Sequence, residues 1–141
     1  GDLLLCEGLP QRLWPRHCVQ GSFGAALVAT LAQGKIEKSI MKGSDPLLDS
    51  YSAFFDNAQR QATELDAYLK AQQLEVLSFA GVATDYCVKF SVLDACRLGY
   101  ATTVVIDACA GVNLRAEDSQ LALQEMQQAG ARLINSQTLL G

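Results

Sequence analysis

The sequence predicts an α/β fold built on a parallel sheet, and three observations carry that expectation. Apolar runs of strand length alternate with segments of helical period along the C-terminal two thirds. Gly81, Gly99 and Gly130 stand where these segments change. The run Ala101–Ala108 is rich in β-branched residues and lacks strict alternation, as a strand buried on both faces would be. Strands separated by helices at this spacing call for right-handed crossovers in one sheet.

The elements follow in order. Residues 1–24 hold two of the three prolines and four of the eleven glycines, so most of the stretch before Lys35 reads as an irregular loop. A short helical piece is expected over 25–31, and Lys35 to Met41 reads as a strand. Ala58, Ala62, Leu65, Tyr68 and Leu69 recur at helical spacing and predict a helix over 58–73. Leu74 to Ala80 reads as a strand closed by Gly81. Residues 85–98 read as a helix with Val88, Val92, Leu93 and Cys96 on one stripe and Gly99 at its end. After the strand at 101–108 come a helix over 116–129, stopped by Gly130, and a final strand over 131–135. The 141 residues are expected to form a single domain.

Composition removes several classes of function. Half of the residues are apolar and 18% are charged, a globular balance. The net charge of −4, with no basic stretch longer than two residues, argues against nucleic acid and anionic membranes as partners. No apolar run approaches the roughly 20 residues that span a bilayer. The first six residues do not read as a secretory signal as they stand, and without a Met the true start is expected upstream. Cys6, Cys18, Cys87, Cys96 and Cys109 are odd in number and none is spaced as Cys-x-x-Cys, so free thiols in the cytosol are expected.

The segment Ala80-Gly81-Val82-Ala83-Thr84-Asp85-Tyr86-Cys87-Val88 lies between a predicted strand and a predicted helix, where open α/β sheets hold ligands. In a first helical turn, Cys87 would meet unpaired backbone N–H groups and the positive end of the helix dipole. Both favour a thiolate, the nucleophilic form. A buried packing cysteine is the competing reading. Lys42, after a predicted strand end, is either a solvated lysine or a cation beside that thiol. Tyr51, Phe54 and Phe55 wall a pocket or pack in the core. Trp14 stacks on a ligand or packs. His17, the one histidine, is a loop residue or one ligand of a metal that would need about three from the protein.

Together these segments resemble the isochorismatase-like cysteine hydrolases, and among them the nicotinamidases. The matching pieces are Trp14-Pro15-Arg16-His17-Cys18-Val19-Gln20-Gly21-Ser22, Lys42-Gly43 with Tyr51-Ser52-Ala53-Phe54, Gly81 through Val88, and Asp107-Ala108-Cys109-Ala110-Gly111-Val112. The resemblance implies a three-layer α/β/α fold and hydrolysis of nicotinamide, a small carboxamide, to nicotinate and ammonia in NAD salvage. Cys87 would be the nucleophile and Lys42 the catalytic lysine. The N–H groups of Ala83 and Cys87 would form the oxyanion hole, next to a cis Val82–Ala83 peptide. Trp14, Tyr51, Tyr86 and Val82 would bind substrate. His17 would be one ligand of a divalent metal, usually zinc, that binds the pyridine nitrogen.

One departure stands out. The family's catalytic aspartate and its Asp-x-His metal segment have no counterpart here. The chain is therefore expected to be incomplete at its N-terminus, its missing part serving as a partner, and homo-oligomerisation is left open. The alternatives are another isochorismatase-like amidase or hydrolase, or a catalytically inactive binding or regulatory relative.

Overall fold

The computed structural model describes residues 3–6 and 8–140, with Leu140 in its backbone alone. The chain divides into two compact units, Gly1–Ile40 and Met41–Gly141.

The first unit corrects the loop expectation. Strands β1 (Leu3–Cys6) and β2 (Leu9–Arg12) pair antiparallel, with Leu3 opposite Arg12 and Cys6 opposite Leu9. Gly8 takes φ 82° at the reversal, a conformation glycine reaches without a Cβ penalty. Local pattern hid this hairpin, because Leu3-Leu4-Leu5 has no alternation and Pro10 sits inside a strand. The helix expected over 25–31 is absent. Single 3₁₀ turns at Phe23–Ala25 and Gln33–Lys35 stand nearby. Phe23, Leu27, Val28 and Leu31 are all exposed, so no apolar face is buried to hold a longer helix. The strand expected over 35–41 is also absent. A strand needs a ladder of hydrogen bonds with a neighbouring strand, and no described strand is laddered to this segment.

The second unit carries the sheet. Strands β3 (Val76–Val82), β4 (Ala101–Ala110) and β5 (Arg132–Ile134) lie in that order, all parallel. The helices are α1 (Leu65–Ala71), α2 (Lys89–Arg97), α3 (Asp118–Gln128) and α4 (Ser136–Leu140). Both glycine stops end their helices by one device. Gly99 and Gly130 take positive φ. Tyr100 N–H donates to the Ala95 carbonyl and Ala131 N–H to that of Met126, each five residues back, as in a Schellman motif.

Two differences from the sequence reading have local causes. The first half of the helix expected over 58–73 is a loop, because the Asp56 carboxylate accepts the N–H groups of Ala58, Arg60 and Gln61. Such side-chain bonds compete with the helical ladder. The helix begins only after Thr63, whose Oγ1 accepts Leu65 N–H at 3.2 Å. Helix α4 was not expected at all. It is fastened by Asp107, whose carboxylate takes the N–H and the hydroxyl of Ser136.

The core forms where helices cover the sheet. Val88 and Val92 meet Val104, Ala122, Met126 and Ala131, with Phe79 and Leu133 against them. Phe54, Leu69, Ala95 and Tyr100 form a second cluster beside Leu77. Each fully buried side chain of this size contributes roughly 1.5–3 kcal/mol. Leu77 and Phe79 of β3 point to these clusters, whereas Val76 and Val82 are more than 70% exposed. In β4, Val104 and Val105 are both buried, so this strand is covered on both faces as its composition predicted.

Candidate active site

The site region of the second unit grows from an irregularity in the sheet. Phe79 pairs with Val104, yet pairing resumes with Gly81 opposite Cys109, so β4 carries three surplus residues at this point. Gly81 sits inside β3 at φ 124°, where a side chain would be strained, and does not end the strand as expected. Val82 and Ala83 are joined by a cis peptide. The chain then winds as a π-helical turn over Thr84–Val88 before α2 starts. Such widened turns are often found at functional sites. The Ala83 carbonyl accepts the N–H of Tyr86 at 3.1 Å and of Val88 at 3.0 Å, which fixes Cys87 between them.

Cys87 is half-buried and faces a cation. Lys42 Nζ lies 3.5 Å from Cys87 Sγ and donates to the Ser50 carbonyl. Ser50 is buried, and its hydroxyl reaches the carbonyls of Ser52 and Phe55 at 3.1 and 3.0 Å. The loop that receives Lys42 is thus internally tied.

Aromatic rings stand beside the thiol's turn. Tyr51 meets Tyr86 edge-on, with centroids 5.2 Å apart, and tilts against Phe90 at 5.5 Å. Tyr86 precedes Cys87, so this cluster could take a flat ring. Phe90 was missed by the sequence reading, although its place three residues after Cys87 puts it on the same helical face. Phe54 does not wall a pocket. It is 1% exposed and stacks on Tyr100 within the core. Phe55 is half-buried beside Arg97, whose guanidinium lies 5.4 Å from its ring.

Asp85 is a buried carboxylate of the turn. Its Oδ1 accepts Val112 N–H at 2.9 Å and its Oδ2 accepts Asn113 N–H at 2.8 Å. Both oxygens serve the loop after β4. The Cys109 thiol donates to the Val105 carbonyl, and burial pushes its pKa up. A cleft of about 600 Å³ lies elsewhere, at the amino ends of β3 and β4 near Leu74, Val76 and Leu98. No cysteine or histidine lines it, so concavity is a poorer guide here than the Lys42–Cys87 approach.

The remaining sequence candidates lie in the first unit. The Arg12 guanidinium sits 5.9 Å from the Trp14 ring. His17 Nδ1 is 2.6 Å from the Pro15 carbonyl. A carbonyl only accepts, so Nδ1 carries the proton and a neutral ring keeps its lone pair on Nε2. That is how a metal-binding imidazole is commonly oriented. Among the described residues, however, no three His, Cys, Asp or Glu side chains gather as a metal site. The donors present therefore suit one corner of a metal site and not a whole one.

Comparison with known proteins agrees with this geometry. The Isochorismatase domain family matches residues 8–138. The nicotinamidase of Escherichia coli strain K12 is 54% identical over 127 residues, covering 90% of this chain and 60% of that protein. A nicotinamidase/pyrazinamidase structure from Acinetobacter baumanii superposes with a TM-score of 0.88 at 36% identity, over 98% of this chain and 66% of that one. PnC1 from L. infantum, in complex with nicotinate, gives 0.84 at 35% identity, over 89% and 62%. The pyrazinamidase of Pyrococcus horikoshii, in complex with zinc, gives 0.73 at 34% identity, over 87% and 63%. The chain thus spans about three fifths of the length of curated nicotinamidases that it matches.

Proposed function

The chain belongs to the isochorismatase family, and from that premise we propose that the whole protein is a nicotinamidase, hydrolysing nicotinamide to nicotinate and ammonia. The observation that carries this reading is the 3.5 Å approach of Lys42 Nζ to Cys87 Sγ on the turn after β3. The nicotinamidase relatives and the nicotinate held by the L. infantum protein supply the substrate class.

In this reading the Cys87 thiolate attacks the carboxamide carbon. A C–S bond forms and the carbonyl oxygen takes the negative charge. The N–H groups of Ala83 and Cys87 receive that oxygen, as donors placed where charge develops. The C–N bond then breaks, and the leaving nitrogen takes a proton and departs as ammonia. Water attacks the thioester, the C–S bond breaks, and nicotinate leaves with the thiolate restored. Lys42 holds the thiolate and orients the acid–base partner. Asp85 is not that partner, because both its oxygens already hold amides. The partner belongs to the part of the relatives' length that this chain does not span. Tyr51, Tyr86 and Val82 line the substrate side, and Trp14 is a substrate-binding candidate by the family resemblance alone.

His17 Nε2 would serve as one ligand of a divalent metal, zinc by the likeness to the P. horikoshii protein. A bound metal would hold and polarise the pyridine nitrogen. Five unbridged cysteines support a cytosolic setting. No described helix is long and apolar enough to cross a membrane.

The test is ammonia release from nicotinamide by the whole protein and by its Cys87→Ala variant. Removing the nucleophile is expected to cost roughly 10⁴-fold or more in kcat. Turnover by the variant at the rate of the unchanged protein would overturn the assignment.

A further inference from the structure

Ser91 lies one helical turn after Cys87 and is 5% exposed. Its hydroxyl donates to the Cys87 carbonyl at 2.6 Å. A serine bonding back four residues is common in helices and would by itself mean little. The second bond is the unusual one. Ser91 Oγ also accepts the N–H of Ala53 at 2.8 Å, from a segment 38 residues earlier in the chain. One hydroxyl thus joins the nucleophile's own peptide to the loop over residues 50–57.

That loop is the one that holds Lys42. Ser50 offers its carbonyl to Lys42 Nζ and its hydroxyl to the carbonyls of Ser52 and Phe55. Ser52 Oγ accepts Phe54 N–H at 3.1 Å. The Ala53 carbonyl is held in turn by Thr63 Oγ1 at 2.6 Å. A displaced Ala53 would carry Ser50 with it, and with Ser50 the acceptor that aims the ammonium. The route from the Cys87 backbone to Lys42 therefore runs through Ser91, Ala53 and Ser50.

We propose that Ser91 is the positioning residue that sets Lys42 against the Cys87 thiol, an inference that rests on the catalytic reading of that pair. Ser91 touches no substrate. It fixes the separation of two groups that do the chemistry. A shift of about 1 Å in such a pair can cost on the order of 10²-fold in rate.

The experiment compares Ser91→Thr with Ser91→Val in the whole protein. The two side chains share a shape and differ in the hydroxyl. Three quantities are read: kcat and KM for nicotinamide, the rate of Cys87 alkylation by iodoacetamide at neutral pH, and the thermal midpoint. The valine variant is expected to lose roughly 10²-fold in kcat with KM little changed, and about tenfold in alkylation rate. The threonine variant is expected to stay near the unchanged protein in both. Equal kcat and alkylation in the two variants would overturn the proposal, as would losses that follow only the thermal midpoint. Should the valine variant not fold, Ser91→Ala removes the hydroxyl without added bulk and decides by the same readings. A protein that releases no ammonia from nicotinamide sinks the function proposed above, while the alkylation rates still decide the role of Ser91.

Discussion

Helix α2 is stopped at Gly99 among closed partners, and the turn that leads into it from Ala83 carries the thiol. At its carboxyl end the Schellman bonds return the chain to the helix. The Arg97 guanidinium meets Asp94 at 2.9 Å and Gln59 at 2.6 Å. Tyr100 donates to Asp66 at 2.7 Å, and Lys70 holds the other oxygen of that carboxylate at 2.7 Å. At its amino end neither the turn nor the helix has a side-chain cap. The turn is wound one residue wide, and a half-buried thiol there faces an ammonium. One end satisfies its polar groups with each other and adds stability. The other sets a half-buried thiol 3.5 Å from an ammonium, the pair on which the proposed chemistry rests.

If that division is right, substitutions at the two ends should fail in different ways. The largest effect is expected from Lys42→Met, which keeps the length of the side chain and removes the charge. In the whole protein, kcat for nicotinamide should fall about 10²–10⁴-fold while the melting temperature stays nearly constant. A large drop in melting temperature would instead mark Lys42 as structural. Next comes Asp85→Ala, which sharpens the boundary because Asp85 sits at the reactive end but serves the fold. It orphans the amides of Val112 and Asn113, at roughly 1–3 kcal/mol for each buried donor left unpaired. Denaturant melts should register that loss.

The smallest effect belongs to the closed end and depends on pH. Burial and the Asp66 carboxylate push the Tyr100 pKa from 10.0 up to about 12. The folded state holds this proton more tightly than the unfolded chain does. Its contribution is therefore complete below pH 10 and disappears as the pH rises through about 12. Tyr100→Phe should lower neutral stability by about 1 kcal/mol for one lost hydrogen bond, a difference that shrinks over that alkaline window. Melts at pH 8 and above pH 11 check it, and a gap that widens with pH would contradict the assignment.

How far this was legible depended on distance along the chain. The stops at Gly99 and Gly130 and the covered strand β4 come from local rules, and the sequence showed them. Strand β3 was found within two residues. The hairpin of β1 and β2 escaped because its pairing, not its pattern, makes it. The loop before α1 escaped because one carboxylate, Asp56, outbid the helical period. Helix α4 depends on Asp107, 29 residues away. In the site, the motif order made Cys87 and Lys42 visible as candidates. Ser91 and the acceptors of Asp85 were invisible, since a buried serine and an aspartate near a helix start look ordinary until their distant partners are known.

The Pro15 carbonyl that accepts a hydrogen bond from His17 Nδ1 has a spectroscopic consequence. A neutral imidazole locked with its proton on Nδ1 has two ring nitrogens of well-separated resonance frequency. A ¹⁵N spectrum would then report whether Nε2 bears nothing, a proton or a metal. This sequence holds one histidine and one tryptophan, three residues apart. The ring signals need no assignment by mutagenesis within this chain, and Trp14 emission offers an independent optical channel next to them. The part of the molecule with the least buried core thus comes with its own label.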